Sequence, residues 1–218
     1  MKYFQYHLPT DIERESMATI TRELAQMGVV IQEENEAVVK RVIHTTADFE
    51  YAKNLVFTPQ AVSHALSAMK DRPVIITDTN MALAGINKTA LAQVGGEVHC
   101  FMADADVADM ARVNGTTRAS AAIDKAIELY PNAIYACGNA PTALIRLGQL
   151  MEEKGARPAL IIGVPVGFVN VVESKEDILA LAGEKEVPAI VARGRKGGSN
   201  VAAAICNALL YQAVGRKL

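Results

Sequence analysis

Apolar residues recur at helical spacing along the first third of the chain. Ile12, Ile20, Leu24 and Met27 fall on one helix face. Thr10 and Glu13 have capping-box spacing at its start, and Gly28 can end it. Val38, Val39, Val42 and Ile43 make a second stripe, with Asn35 as a possible cap. Thr58-Pro59 predicts the opening of a third helix, with Ala61, Val62, Ala65, Leu66 and Met69 facing inward.

The period then changes. Val74–Thr77, Val98–Phe101, Ile134–Cys137, Ala159–Ile162 and Ala189–Ala192 are short apolar runs, too short for helices and rich in β-branched residues. Helical patterns at Ala119–Leu129, Thr142–Met151, Lys175–Leu181 and Val201–Gln212 follow or separate them. Such alternation predicts an α/β fold, a three-layer doubly wound parallel sheet. No repeat, linker or low-complexity stretch interrupts it, so residues 1–218 read as one domain.

Composition narrows the class. The chain is 50% hydrophobic and 21% charged, enough to bury a large core. Few aromatics and much Ala, Val, Ile and Leu suit parallel strands covered by helices. The formal net charge of −2, without a block of one sign, argues against nucleic-acid binding. The longest uncharged stretch, Pro158 to Val172, is broken by Gly163, Pro165 and Gly167 and is too short for a membrane span. The N-terminus, with Lys2, His7 and Asp11, has no signal-peptide pattern, and a cytoplasmic location is expected. Cys100, Cys137 and Cys206 are widely spaced in apolar surroundings, as buried thiols would be.

In doubly wound sheets ligands bind at the carboxyl ends of strands. There this sequence places Asp78-Thr79-Asn80-Met81, Gly138-Asn139-Ala140-Pro141-Thr142, Gly163-Val164-Pro165-Val166-Gly167-Phe168 and Gly194-Arg195-Lys196-Gly197-Gly198-Ser199. Glycine lets a ligand approach the backbone, and helix N-termini offer N–H groups to anions. Each loop alone reads better as a good turn; four on one edge make a cradle the better reading. Known motifs fail: there is no P-loop, no dinucleotide fingerprint, no nucleophile elbow around Cys137, and no metal-ligand spacing among the histidines. His44 alone lies in a dense polar cluster, His44-Thr45-Thr46-Ala47-Asp48. It could exchange protons or simply complement a helix C-terminus. His7, His64 and His99 read as ordinary surface or core residues.

Taken in order, these segments resemble one family. Arg41-Val42-Ile43-His44-Thr45-Thr46-Ala47-Asp48-Phe49, Thr77-Asp78-Thr79-Asn80-Met81-Ala82, Gly138-Asn139-Ala140-Pro141-Thr142-Ala143-Leu144, the Gly163–Val169 loop, Glu173-Ser174-Lys175-Glu176 and Gly194–Asn200 are similar to the precorrin-8 methylmutases. The resemblance covers nearly the whole chain. It implies a flavodoxin-like homodimer of cobalamin biosynthesis that moves a methyl group from C11 to C12 of a contracted tetrapyrrole and needs no external cofactor. The family's proton-exchanging histidine falls on His44, and its substrate-contacting serine on Ser16. The Ile43–Asp48 and Gly85–Lys88 runs and Lys196 resemble the anaerobic branch, whose substrate carries cobalt. Asn170-Val171-Val172 departs from the smaller residues usual there.

A flat, carboxylate-ringed substrate fits the cradle. Arg118, Arg195 and Lys196 are expected to pair with its carboxylates. Thr45, Asp78, Thr79, Asn139, Ala140, Gly197 and Ser199 are expected to line the same site. A corrinoid carrier without chemistry, or an enzyme for a phosphorylated metabolite, would use a similar cradle. Asp48 would orient His44 if the helix continued that far.

Overall fold

A computed structural model describes residues 8–216; His7 and Lys2 lie outside them. A six-stranded sheet forms the centre, in the order β1-β6-β5-β4-β2-β3. Its strands are β1 (Leu55–Phe57), β2 (Val74–Thr77), β3 (Glu97–His99), β4 (Ile134–Cys137), β5 (Leu160–Gly163) and β6 (Ala189–Ala192). The last five run parallel, and each matches a predicted run to within two residues. β1 was not anticipated. It pairs antiparallel with β6, Leu55 opposite Ala192 and Phe57 opposite Ile190, so the sheet is mainly rather than wholly parallel.

The strands alternate their burial between two layers of helices, as their period of two requires. Ile75, Ile134, Ala136, Leu160, Ile162 and Ile190 face α2 (Glu33–Thr46), α4 (Ala61–Met69), α5 (Asn80–Gly85) and α11 (Ser199–Ala213). Ile76, Tyr135, Cys137, Ile161 and Val191 face α8 (Arg118–Leu129), α9 (Pro141–Glu153) and α10 (Val171–Glu184). α1 (Pro9–Gln26) lies outside α2, burying Met17, Ile20 and Leu24. Short α3 (Tyr51–Asn54), α6 (Lys88–Gln93) and α7 (Ala105–Asn114) complete the helices. No described helix is long and apolar enough to cross a membrane.

Several local expectations change. α1 starts at Pro9, one residue before Thr10, and no side chain caps it. Ile12 and Met27 are about half exposed, so the buried face of α1 is narrower than the stripe suggested. α2 starts at Glu33, and Asn35 lies inside its first turn. Thr58 bonds to β6 rather than opening a helix: its hydroxyl accepts from Ala189 N at 2.8 Å, and α4 begins at Ala61. Phe101 lies in a short 3-10 turn after β3. The unusual Asn170-Val171-Val172 segment is where α10 begins, with Asn170 in the left-handed region at φ 56°.

Candidate active site at the carboxyl edge

α2 stops at Thr46 because Ala47 takes a left-handed conformation, φ 54°, and its N–H bonds back to Ile43 O at 2.7 Å. His44 therefore projects from the last helical turn. It lines a cleft of about 460 Å³ between α1 and α2 with Ser16, Ile12, Ile20 and Phe49, and with Glu15 and Glu23 on the α1 side. The hydroxyl of Ser16 donates to Ile12 O at 2.7 Å. Thr45 sits next to His44 but turns its hydroxyl back to Arg41 O at 2.9 Å.

Ion pairs below the cleft fix its walls. Glu13 of α1 receives Arg41 of α2 at 2.7 Å and Arg216 at 2.7 Å. Both guanidinium groups also lie over the Tyr211 ring, at 5.2 and 4.3 Å from its centroid. Burial lowers the His44 pKa, the Arg41 charge lowers it further, and Glu13 pulls the other way. The resting imidazole is thus neutral near pH 7, able to accept or pass on a proton.

Asp48 does not orient His44, because the helix ends before it. Its carboxylate instead receives Lys196 at 2.5 Å, and Glu50 receives the same ammonium at 2.8 Å. Lys196 is therefore not the free cation expected for a substrate carboxylate. Its pairing holds the end of α2 against the loop after β6.

The strand order reverses between β2 and β4, where such sheets form their crevice. Here the crevice already contains an anion. Asp78, 3% exposed, accepts from the N–H groups of Gly138, Asn139 and Ala140 at 2.8, 2.7 and 2.6 Å. Burial raises its carboxyl above the ordinary range, and these three bonds offset that only in part. The expectation of free N–H groups at the start of α9 fails for this reason. Thr79 caps α5, accepting from Ala82 N at 3.0 Å, and shares a 2.8 Å hydrogen bond with Ser199. A Cβ at Gly138 would lie 2.8 Å from the Ser199 Cα. Asp78, Thr79, Gly138 and Ser199 thus make a closed floor over which a ligand can rest.

Beside that floor the loops after β5 and β6 interlock. A Cβ at Gly197 would collide with the Val164 carbonyl oxygen. Gly198 N donates to Val164 O at 2.9 Å and Gly167 N to Arg195 O at 3.3 Å. Lys175, fully buried, braces the loop from beneath by donating to Gly194 O and Lys196 O, each at 2.8 Å. Burial without a counter-charge pulls its pKa down to about 8. Arg195 is exposed, with its guanidinium 5.5 Å from the Phe168 ring centroid. Arg118 is exposed at the first turn of α8, whose cap Thr117 bonds to Thr142 of α9 at 2.9 Å. Neither arginine has a carboxylate partner among the described residues.

The fold thus brings Ser16 and His44 to one cleft. It ties that cleft to the β6 loop through Lys196, and places Arg118 at the far side of the same edge. Glu13, Arg41, Phe49, Phe168 and Lys175 escaped the sequence reading as site residues. A lysine in an apolar helix stripe beside Ile178 was the one signal that could have marked Lys175. Cys137 is buried, and burial holds its thiol well above the ordinary value, which disfavours a thiolate there. No cluster of three metal-ligating side chains occurs among the described residues.

Comparisons with known proteins show what the chain is similar to. Residues 11–212 match the family model CbiC, precorrin-8X methylmutase. The chain is similar to a cobalt-precorrin-8 methylmutase of Salmonella typhimurium, 49% identical over 81% of each chain. It is also similar to one of Leptospira interrogans, 42% identical over 94% of each. Among solved structures, a precorrin-8X methyl mutase from Thermus thermophilus superposes with a TM-score of 0.83 at 38% identity. That match covers 95% of this chain and 99% of the other. These relatives are named as mutases, so the carrier reading has no support.

Proposed function

The chain belongs to the precorrin-8X methylmutase family, and we propose that His44 is the proton-exchanging group of its methyl shift. The protein is an isomerase of cobalamin biosynthesis. Moving a methyl group from C11 to C12 leaves the atom count unchanged and calls for no cosubstrate. The shift becomes easier when protonation changes where electrons sit in the conjugated ring. A donor for that step must titrate near the working pH and reach the ring. His44 meets the first condition, and its place opposite Ser16 in an open cleft is the observation that carries the reading. The neutral resting imidazole acquires its proton more readily once a polycarboxylate is bound, because nearby negative charge favours the imidazolium.

Arg118 and Arg195 are the proposed carboxylate partners, with Lys196 holding the site together. The floor made by Asp78, Thr79, Asn139, Ala140, Gly197 and Ser199 then supports the macrocycle. The cobalt-bearing substrate is preferred, in line with the names of the Salmonella and Leptospira relatives. Numbered among themselves, the parallel strands lie in the order 2-1-3-4-5, which supports a flavodoxin-like reading. The cleft is open, and a ligand as wide as a tetrapyrrole calls for further walls; a second copy of the chain is the proposed source, in a cytoplasmic homodimer.

The test is to incubate the protein with cobalt-precorrin-8 and follow the visible spectrum. The corrin chromophore should appear. A spectrum that only shifts on binding would refute catalysis.

A further inference from the structure

The loop tip between β5 and α10 exposes three large apolar side chains within four residues. Phe168 is 83% exposed and Val169 76%, with Val166 also exposed beside them. An aromatic side chain left in water costs hydrophobic stabilisation, and a contiguous apolar patch usually marks a contact surface. Here it is fixed from three directions. Arg195 lies over the Phe168 ring. Gly167 N bonds to Arg195 O. Lys175 holds the carbonyls on either side of Arg195. Burying an ammonium without a carboxylate partner is costly, so the geometry it imposes has a use elsewhere.

We propose that Phe168 and Arg195 form a second recognition element for the corrinoid: the ring takes the flat apolar face of the macrocycle near its edge, and the guanidinium takes a peripheral carboxylate. This rests on the methylmutase reading and adds a subsite to it. Three features favour this occupant. An aromatic ring packs on a conjugated face with little loss of side-chain freedom. The arginine beside it lacks a carboxylate partner among the described residues and can receive one from the ligand in a planar, bidentate fashion. The ledge is also tethered to the end of the helix that carries His44, because Lys196, next to Arg195, is bound to Asp48 and Glu50. Phe168 and Arg195 act as a unit, since the guanidinium over the ring holds both in one orientation.

The experiment titrates the purified corrin product into the parent, Phe168→Ala, Phe168→Trp, Arg195→Ala and the Phe168→Ala/Arg195→Ala double variant, reading the visible spectrum. Single-turnover rates and oligomeric state are recorded for each. Phe168→Ala and Arg195→Ala should each weaken binding about tenfold. The double variant should lose less than the product of the two losses, and Phe168→Trp should bind within about threefold of the parent. Parent-like affinity in Phe168→Ala overturns the proposal. So does a change of oligomeric state in that variant, which would assign the patch to a second copy instead. If the parent itself fails to convert the substrate, the methylmutase reading is what has failed. If the parent converts it and Phe168→Ala is unaffected, only the ledge has.

Discussion

The ammonium of Lys196 lies 2.5 Å from the Asp48 carboxylate and joins two segments 148 residues apart in the chain. One carries His44 and the other carries Arg195. Hydrogen bonds from Lys196 hold the Asp48 carboxyl below its ordinary range, and the same bonds raise the lysine. Both side chains are partly open to solvent, so the pair adds little to stability. Lys196→Met should therefore leave the thermal midpoint nearly unchanged while turnover drops roughly tenfold, because the end of α2 loses its tether. A melt and a single-turnover assay on the same preparation check this. A large loss of stability with normal turnover would reverse the assignment.

His44→Asn keeps a polar side chain but removes the exchangeable ring proton. It should fold and bind the corrin within about tenfold of the parent, and turn over at least ~100-fold more slowly. If the rate survives while binding collapses, His44 is an anchor and the proton comes from another group.

The pH profile reports the neighbours of His44. Burial and Arg41 set its pKa below 6.5, and Glu13 partly restores it. With a protonated donor, kcat/KM is level below that pKa and falls as pH rises through it. Glu13→Gln removes a negative charge that raises His44, so the falling limb should move to lower pH. Glu15, Glu23, Asp48 and Glu50 also lie around this end of α2 and remain in place. An unmoved limb would show that Glu13 only docks α1.

Lys175 links stability to alkaline pH. Its folded pKa of about 8 lies below its ordinary 10.5, so between these values the native state binds fewer protons than the unfolded chain. Its account therefore favours folding increasingly as pH rises across that window, by roughly 3 kcal/mol in all. Denaturant titrations of the parent and Lys175→Met at pH 7.5 and 10 should show the parent gaining relative to the variant. Equal slopes would mean that the ammonium is not desolvated as its burial indicates.

Light scattering at low concentration should give twice the chain mass. A fully active monomer would remove the need for walls from a second subunit.

The parallel strands β2, β4, β5 and β6 were legible because each is a compact, buried apolar run between turn residues, whereas edge strand β3 is only partly buried. β1 was not, because Leu55–Phe57 is three residues long and gains its partner only from the far end of the chain. The chemistry divided in the same way. His44 and Ser16 could be placed by resemblance, and α2 carried a clear stripe to its end. What the charged residues do there depends on who reaches them. Asp78 proved to satisfy three backbone N–H groups, and Lys196 proved to be neutralised by Asp48 and Glu50. Sequence spacing reports local neighbours, and these partners are 60 to 148 residues away.

The pairing of β1 with β6 also sets an order of events during synthesis. Leu55 needs Ala192, Asp48 needs Lys196, and Arg41 packs on Tyr211. A nascent chain that has left the ribosome only as far as β5 can assemble β2 to β5 with the helices between them. It lacks α11 and β6, against which the segment bearing His44 is chiefly seated. Closing such distant contacts is the slow part of folding. His44 is made early and seated last, so a chain truncated before residue 190 should yield a partly formed sheet without a finished His44 cleft.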